Sequence, residues 1–393
     1  MVNFRDTERA FAGLSNAALR RAILLFRVLG MPWLSRLGGW VAELALKLRL
    51  PIGWLFERTI YAHFCGGISM DACERRIGEL HDRKVGAILD FGVEGRSREE
   101  DFARVFDETK LAISRAAKDR RIPFCVFKCS GLVSVSLLEQ ASRFGASTLE
   151  DNAEWSRFEG RVDELLAAAS QLKVRVMLDA EESWIQEAID IIAEKGMARY
   201  NRGSAVVLTT VQLYRVDRLS YLEEAVARAR LGGYVFGVKL VRGAYMEKER
   251  ARALEMNYPD PIHASKNDTD TSFDDALLHC IENIDAVTLC CGSHNEASAL
   301  KMSEWMKEHG LDHDDERVFS AQLLGMSDHI SFNLSADGFN VAKYVPYGPV
   351  ADLVPYLIRR AEENTSIQGQ SGRELAMLED ELNRRLTRPR SAR

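Results

Sequence analysis

Near the C-terminus, Tyr356, Arg359, Arg360 and Glu363 recur at i, i+3, i+4 and i+7 within Pro355-Tyr-Leu-Ile-Arg-Arg-Ala-Glu-Glu-Asn364. That spacing puts all four side chains on one face of a helix. A solvated charged stripe is the default meaning of such a run. Paired guanidinium groups, however, also suit two-pronged capture of a carboxylate; the acid can orient them, and the tyrosine can cover an apolar ring. An amino-acid carboxylate is a ligand such a face could take. A second set of polar residues stands at or just after short β-rich runs. It comprises Lys128, Asp179 with Glu181 and Glu182, Gln212, Lys239, Arg242-Gly243-Ala244-Tyr245, His294-Asn295, the stretch from Leu323 to Met326, and Tyr344.

The elements that must position these residues alternate between short β-rich runs and longer helical stretches. Eight runs can be counted, beginning near Val85–Asp90, Ile122–Lys128, Val174–Asp179, Ala205–Val211, Tyr234–Val241, Ala286–Cys291, Val318–Leu323 and Phe339–Tyr344. Asp101 to Asp119, Tyr221 to Arg230 and Ala297 to His309 have the apolar spacing of crossover helices. Eight strands with helices between them favour an α/β fold of the closed (β/α)8, TIM-barrel type, in which ligands bind at the C-terminal ends of the strands. One charged strand end is often a satisfied ion pair, but here nearly every strand ends in a polar group, and all of them converge on one face. The alternative, an open doubly wound sheet, should carry a GxGxxG turn after an early strand, and none occurs; nor does a GxxxxGK[ST] loop. Nicotinamide and P-loop nucleotide enzymes are therefore disfavoured. The organisation expected is an N-terminal helical arm over residues 1–83, a barrel over 84–379 and a basic tail over 380–393 carrying Arg384, Arg385, Arg388, Arg390 and Arg393.

With 393 residues, 46% of them hydrophobic and 28% charged, the chain can bury a large core. The seven cysteines are odd in number and scattered, which argues for reduced thiols, and no CxxC pair stands near a histidine pair; no metal is expected. A net charge of −6 gives no support for nucleic acid as a partner. It is unevenly spread: residues 1–60 carry nine Lys/Arg and four Asp/Glu, a net of +5, which leaves −11 for the rest. In that basic segment, apolar stretches such as Ala22–Phe26 and Trp40–Leu46 are interrupted by charge and proline well short of the roughly 20 residues a membrane span needs. Two meanings stay open for this cationic amphipathic arm: a cover over one end of the core, or a surface resting on an anionic membrane.

Five ordered blocks carry a family resemblance. Val176-Met-Leu-Asp-Ala-Glu-Glu182, Lys239-Leu-Val-Arg-Gly-Ala-Tyr245, Gln322-Leu-Leu-Gly-Met326, Lys343-Tyr-Val-Pro-Tyr-Gly-Pro-Val350 and Tyr356-Leu-Ile-Arg-Arg-Ala-Glu-Glu-Asn364 resemble the signature blocks of the proline dehydrogenase family, and the likeness is closer to its monofunctional, mitochondrial-type members. The resemblance implies FAD-dependent oxidation of L-proline to Δ1-pyrroline-5-carboxylate, with hydride passing from the carbon next to nitrogen to flavin N5 and electrons going on to a membrane quinone. It implies FAD contacts from Gln212, Lys239, Arg242, Gly243, Ala244, His294 and Asn295, with Lys239 near N5, where many relatives have arginine; the charge is kept and the planar fork lost. The proline carboxylate is expected on Arg359 and Arg360, oriented by Glu363 and helped by Lys128. The ring is expected to pack on Ala244, Leu323, Tyr344 and Tyr356. Asp179 and Lys239 are the implied catalytic pair, and a buried Lys128 requires Asp179 as its partner. Tyr344 sits where the hydroxyproline-oxidising branch tends to differ, so proline is the expected substrate. The expected location is the cytoplasm with a peripheral contact at the inner membrane face, or the mitochondrial inner membrane or matrix in a eukaryote. No oligomeric state is implied.

Two rivals are weighed beside this. A metal- or phosphate-using barrel such as an aldolase would use Lys239 or Lys128 as a Schiff-base lysine and Asp179-Ala-Glu-Glu182 as a metal site; it predicts a colourless protein. A catalytically silent membrane scaffold would bind neither flavin nor proline.

Overall fold

A computed structural model describes residues 2–29, 60–92, 97–366 and 370–387. Its centre is a closed barrel of eight parallel strands in sequence order: β1 (Val85–Phe91), β2 (Phe124–Phe127), β3 (Arg175–Leu178), β4 (Val207–Gln212), β5 (Phe236–Val241), β6 (Val287–Gly292), β7 (Val318–Leu323) and β8 (Val341–Tyr347). Closure is made by β1 on β8, with Ile88 opposite Tyr344 and Asp90 opposite Pro346. All eight strands fall on the runs expected from the sequence. The crossover helices at Glu99–Ala116, Arg218–Gly232 and Glu296–Glu308 begin one to three residues before the expected starts.

Alternation along the strands divides the core into two layers. Ile88, Phe124, Val126, Met177, Leu208, Cys290, Ala321, Ala342 and Tyr344 fill the barrel interior. Leu89, Val176, Leu178, Val238, Leu240, Leu289 and Val345 pack outward beneath the helices. This period of two decides where the chemistry-bearing residues point. Lys239 lies between outward Val238 and Leu240 and is turned inward; Asp179 follows outward Leu178 and inward Met177 and is turned inward as well. All seven cysteines are buried thiols without a disulfide.

Outside the barrel, the helices Thr7–Phe11, Asn16–Leu29 and Gln370–Thr387 pack on one another through Ala10, Phe11, Leu19, Ala22, Ile23, Phe26, Met377 and Leu378. Leu19, Ala22, Ile23 and Phe26 form the i, i+3, i+4, i+7 face that the basic arm buries. The boundary expected between residues 379 and 380 falls inside the last helix. Arg384 and Arg385 are therefore not a trailing tail: both bond Glu381, Arg384 also reaches Glu8 at 2.9 Å, and Arg385 donates to the carbonyls of Phe11 and Leu14 at 2.8 and 2.5 Å. Arg388, Arg390 and Arg393, and the arm between residues 30 and 59 with its Trp40–Leu46 stretch, lie outside the described residues. Among the described residues no helix is long and apolar enough to cross a membrane.

Candidate active site at the barrel mouth

Lys128 and Asp179, just past β2 and β3, and Lys239 and Tyr344, within β5 and β8, meet in one contact. The Asp179 carboxylate accepts from Lys239 Nζ and from the Tyr344 hydroxyl at 3.2 Å, and its other oxygen lies 3.6 Å from Lys128 Nζ. Lys239 Nζ also donates to the Tyr344 oxygen and stands 4.4 Å from the centre of that ring. Burial alone would raise the Asp179 carboxyl, but the two ammonium groups and the bonds from Lys239 and Tyr344 hold it below its ordinary range. Burial pushes the Tyr344 phenol well above its usual value, so it stays neutral. Two ammonium groups thus converge on one carboxylate at the mouth, and Lys128 also acts on the Glu181 carboxyl.

A second group spans β3 to β5. Gln212 donates to the Glu181 carbonyl at 2.7 Å and accepts from the Ala244 N–H at 3.3 Å. Gly243 sits at φ +142°, and a Cβ there would lie 2.4 Å from the Tyr214 ring, so only glycine fits. Gly243 and Ala244 are exposed. Arg242 is tied from outside: it bonds Asp270 at 2.6 Å and Ser293 and Ser298 at 2.9 Å each, and lies 4.3 Å over the Phe273 ring.

After β6, His294 Nδ1 pairs with Ser327 Oγ at 2.9 Å. Burial, with Lys343 and Arg360 nearby, lowers its pKa to about 3, so the ring is neutral at physiological pH. Asn295 caps the Glu296–Glu308 helix, its side-chain oxygen accepting from the N–H groups of Ala297 and Ser298 at 2.8 and 3.3 Å. On the helix Val350–Ser366, Tyr356 and Arg360 are buried with the guanidinium 5.2 Å from the ring centre, and Arg359 is half-buried. Leu323 joins two apolar clusters, one holding Tyr344 and the other Tyr356. The side chain of Glu363 lies outside the described residues.

Three features have roles that the sequence reading did not give them. Glu181 is buried; it accepts from the Ser130 N–H at 3.0 Å and from the Ser130 hydroxyl, and burial raises its pKa to about 7. Lys343, fully buried, donates to the Met326 carbonyl at 2.5 Å and to Asp328 at 2.8 Å. Its sequence signals are a charge inside an apolar strand and a place at the head of one of the five blocks. The third is the contact of Glu374 and Arg373 with the loops after β6 and β7, for which the sequence holds no signal. The three acids of the Asp179–Glu182 run diverge: Asp179 onto lysines, Glu181 onto Ser130, and Glu182 onto Lys248 at 2.7 Å. Among the described residues no group of three His, Cys, Asp or Glu side chains could hold a metal.

Comparison with known proteins bears on what this mouth serves. The chain is 35% identical over 340 residues to the carbapenem antibiotics biosynthesis protein CarD of Pectobacterium carotovorum subsp. carotovorum, covering 86% of this chain and 88% of that one. It is 40% identical over 248 residues to the mitochondrial proline dehydrogenase 1 of Homo sapiens, covering 62% of this chain and 41% of the human one. Its fold superposes on proline utilization A of Bdellovibrio bacteriovorus, solved after inactivation by N-propargylglycine, with a TM-score of 0.73 at 18% identity; 91% of this chain matches 38% of that one, a likeness of fold alone. The family model for proline dehydrogenase matches residues 73–373, which include every strand of the barrel and every predicted site residue. The chain belongs to the proline dehydrogenase family.

Proposed function

We propose that this chain oxidises L-proline to Δ1-pyrroline-5-carboxylate, using FAD bound across the barrel mouth. The observation that carries this reading is the Lys128–Asp179–Lys239–Tyr344 cluster, in which two lysines meet one buried carboxylate beside an aromatic ring. The residues present suit a flavin. The exposed Gly243–Ala244 pair lets a flat group approach, Lys239 brings a cation to the mouth, and neutral His294 offers a ring nitrogen without added charge. Gln212, Lys239, Gly243, Ala244 and His294 would hold the cofactor, with Arg242 and Asn295 bracing the loops that carry them. When bound, the flavin supplies a two-electron acceptor.

The protein's part is placement and charge. Arg359 and Arg360 would take the proline carboxylate, with Lys128 adding attraction from β2. Leu323, Tyr344, Tyr356 and Ala244 would enclose the ring in a small apolar slot that selects proline by shape. Lys239 would stabilise negative charge arriving on the acceptor, and Asp179 would hold both lysines in register. The amine must be neutral for hydride to leave the adjacent carbon, so activity rises with pH as proline loses its ammonium proton.

The electron acceptor in this reading is a membrane quinone, reached from a peripheral position in the cytoplasm or on the mitochondrial inner membrane. Support comes from Asn16–Leu29, whose outer side shows Leu24, 64% exposed, beside Arg20 and Arg21. Because the inner side packs on Met377 and Leu378, removing the arm would unfold more than a membrane contact. Leu24→Glu leaves that packing intact: weaker binding to anionic liposomes and slower quinone turnover, with unchanged dye-linked activity, is the expected result. Equal losses in both assays would reject the membrane role.

The decisive experiment on the whole reading is an absorption spectrum of the purified protein followed by anaerobic L-proline. Visible flavin bands that bleach on proline are expected, as is quenching of flavin fluorescence when FAD is added to cofactor-stripped protein. Colourless protein with no FAD binding would overturn the reading and restore the aldolase-like alternative.

A further inference from the structure

The helix Gln370–Thr387 belongs to none of the eight strand–helix units, and the family match ends at residue 373, before most of it. Yet its first turns reach the mouth. Ser327 N–H donates to the buried Glu374 carboxylate at 3.0 Å, and Ser327 Oγ in turn meets His294 Nδ1 at 2.9 Å. One residue earlier, Arg373 makes a two-pronged contact with Glu296, one arm at 2.6 Å. Glu296 also accepts from buried His329 Nε2 at 3.0 Å, and it follows Asn295, the cap of the helix after β6. The loops after β6 and β7 are thus each gripped from outside by adjacent residues of one helix.

Two physical features make the grip matter. Ser327 is a non-glycine residue at φ +51°, a left-handed conformation that side-chain-bearing residues rarely adopt and that persists only when its surroundings hold it. Its N–H is buried against a carboxylate, which is among the stronger hydrogen bonds a backbone group makes. The helix is anchored in turn by Met377 and Leu378 on Ala22, Ile23 and Phe26. The chain's two ends therefore form one body, fixed to the barrel where His294 is oriented.

We propose that Glu374 and Arg373 are positioning residues for the cofactor: through Ser327 and Glu296 they fix the His294 side of the mouth, so that retention of FAD depends on a helix outside the barrel. This rests on the FAD reading above, and the test separates the two. Cofactor-stripped wild-type protein and variants are titrated with FAD and followed by flavin fluorescence, with proline KM and kcat measured at saturating FAD. Glu374→Ala removes the acceptor and should raise the FAD dissociation constant about tenfold or more. Glu374→Gln keeps an acceptor oxygen and should restore affinity to within about threefold of wild type. Ser327→Ala leaves the N–H bond to Glu374 but removes the hydroxyl that meets His294 Nδ1; it should weaken FAD about as much as Glu374→Ala, which keeps the proposal testable should the latter fail to fold. Proline KM at saturating FAD should stay near the wild-type value in all three. Wild-type affinity in Glu374→Ala or Ser327→Ala, or no rescue by Glu374→Gln, would overturn the proposal. A wild-type protein that binds no FAD at all would instead overturn the functional reading beneath it.

Discussion

Replacing Glu181 with glutamine should make the protein more stable, and more so as pH rises. Glu181 is 4% exposed, and burial lifts its carboxyl from the ordinary 4.5 to about 7, partly offset by the bonds from Ser130 and by Lys128. A carboxyl whose folded pKa is raised binds its proton more tightly in the native state. Stability is therefore highest below the unfolded pKa, where both states hold the proton, falls as pH rises through the window between the two values, and levels off above the folded one. Relative to a neutral isostere, wild type is therefore destabilised by under about 1 kcal/mol at pH 5 and by roughly 3 kcal/mol at pH 8, since one pKa unit corresponds to 1.36 kcal/mol. Glutamine can still accept from Ser130 N–H, so the difference of roughly 2 to 3 kcal/mol between the two pH values isolates the charge. With an unfolding entropy of about 2.1 cal/mol/K per residue over 393 residues, that is a shift of roughly 3 °C. Thermal unfolding of wild type and Glu181→Gln at pH 5 and pH 8, both stripped of cofactor, reads it directly. Curves whose separation is the same at both pH values, or a variant that loses ground as pH rises, would show that Glu181 does not titrate near neutrality and that the account of its burial is wrong.

Asp179→Asn keeps the shape of the cluster but takes away the carboxylate that Lys239 and Lys128 share; a loss of roughly 3 to 5 kcal/mol is expected. Thermal unfolding checks it, and a melting temperature within 1 °C of wild type would contradict the pairing. Arg359→Met should remove a charge-assisted contact worth roughly 1.5 to 3 kcal/mol, so apparent proline affinity falls about tenfold or more while flavin content persists. Unchanged proline saturation rejects the carboxylate assignment. Tyr344→Ser removes the ring beside Lys239 and opens the slot; steady-state assays should show a smaller preference for proline over hydroxyproline, and an unaltered ratio counts against the ring's role.

What could be read in the sequence, and what could not, follows from the range of each interaction. The eight strands are local: runs such as Val207–Gln212 and Val318–Leu323 are β-rich over a single element, and period-two alternation then turns Asp179 and Lys239 inward without knowledge of any partner. Four polar residues within or just past four strands meet because the barrel's closure leaves them nowhere else to go. Identity is legible that way, but occupation is not. Arg242 carries the right residue type for a ligand, yet it is tied to Asp270 and two serines from segments up to 56 positions away; Asn295 caps its own helix through N–H groups two and three residues on, a local role that its residue type also fits.

The hardest features to see are those with the longest separations. Arg385 meets residues 371 and 374 positions earlier in the chain, so a basic stretch that looks like a tail in one dimension is the lock between the two ends in three. The same long closure carries Glu374 to Ser327, 47 positions back. An unpaired carboxylate at position 374 would belong in water, and it is the loop after β7 that supplies the N–H partnering it in its buried position. Local pattern therefore specifies which side chains reach the mouth, while non-local packing determines how firmly each is held there, and it is on that second property that retention of a bound cofactor depends.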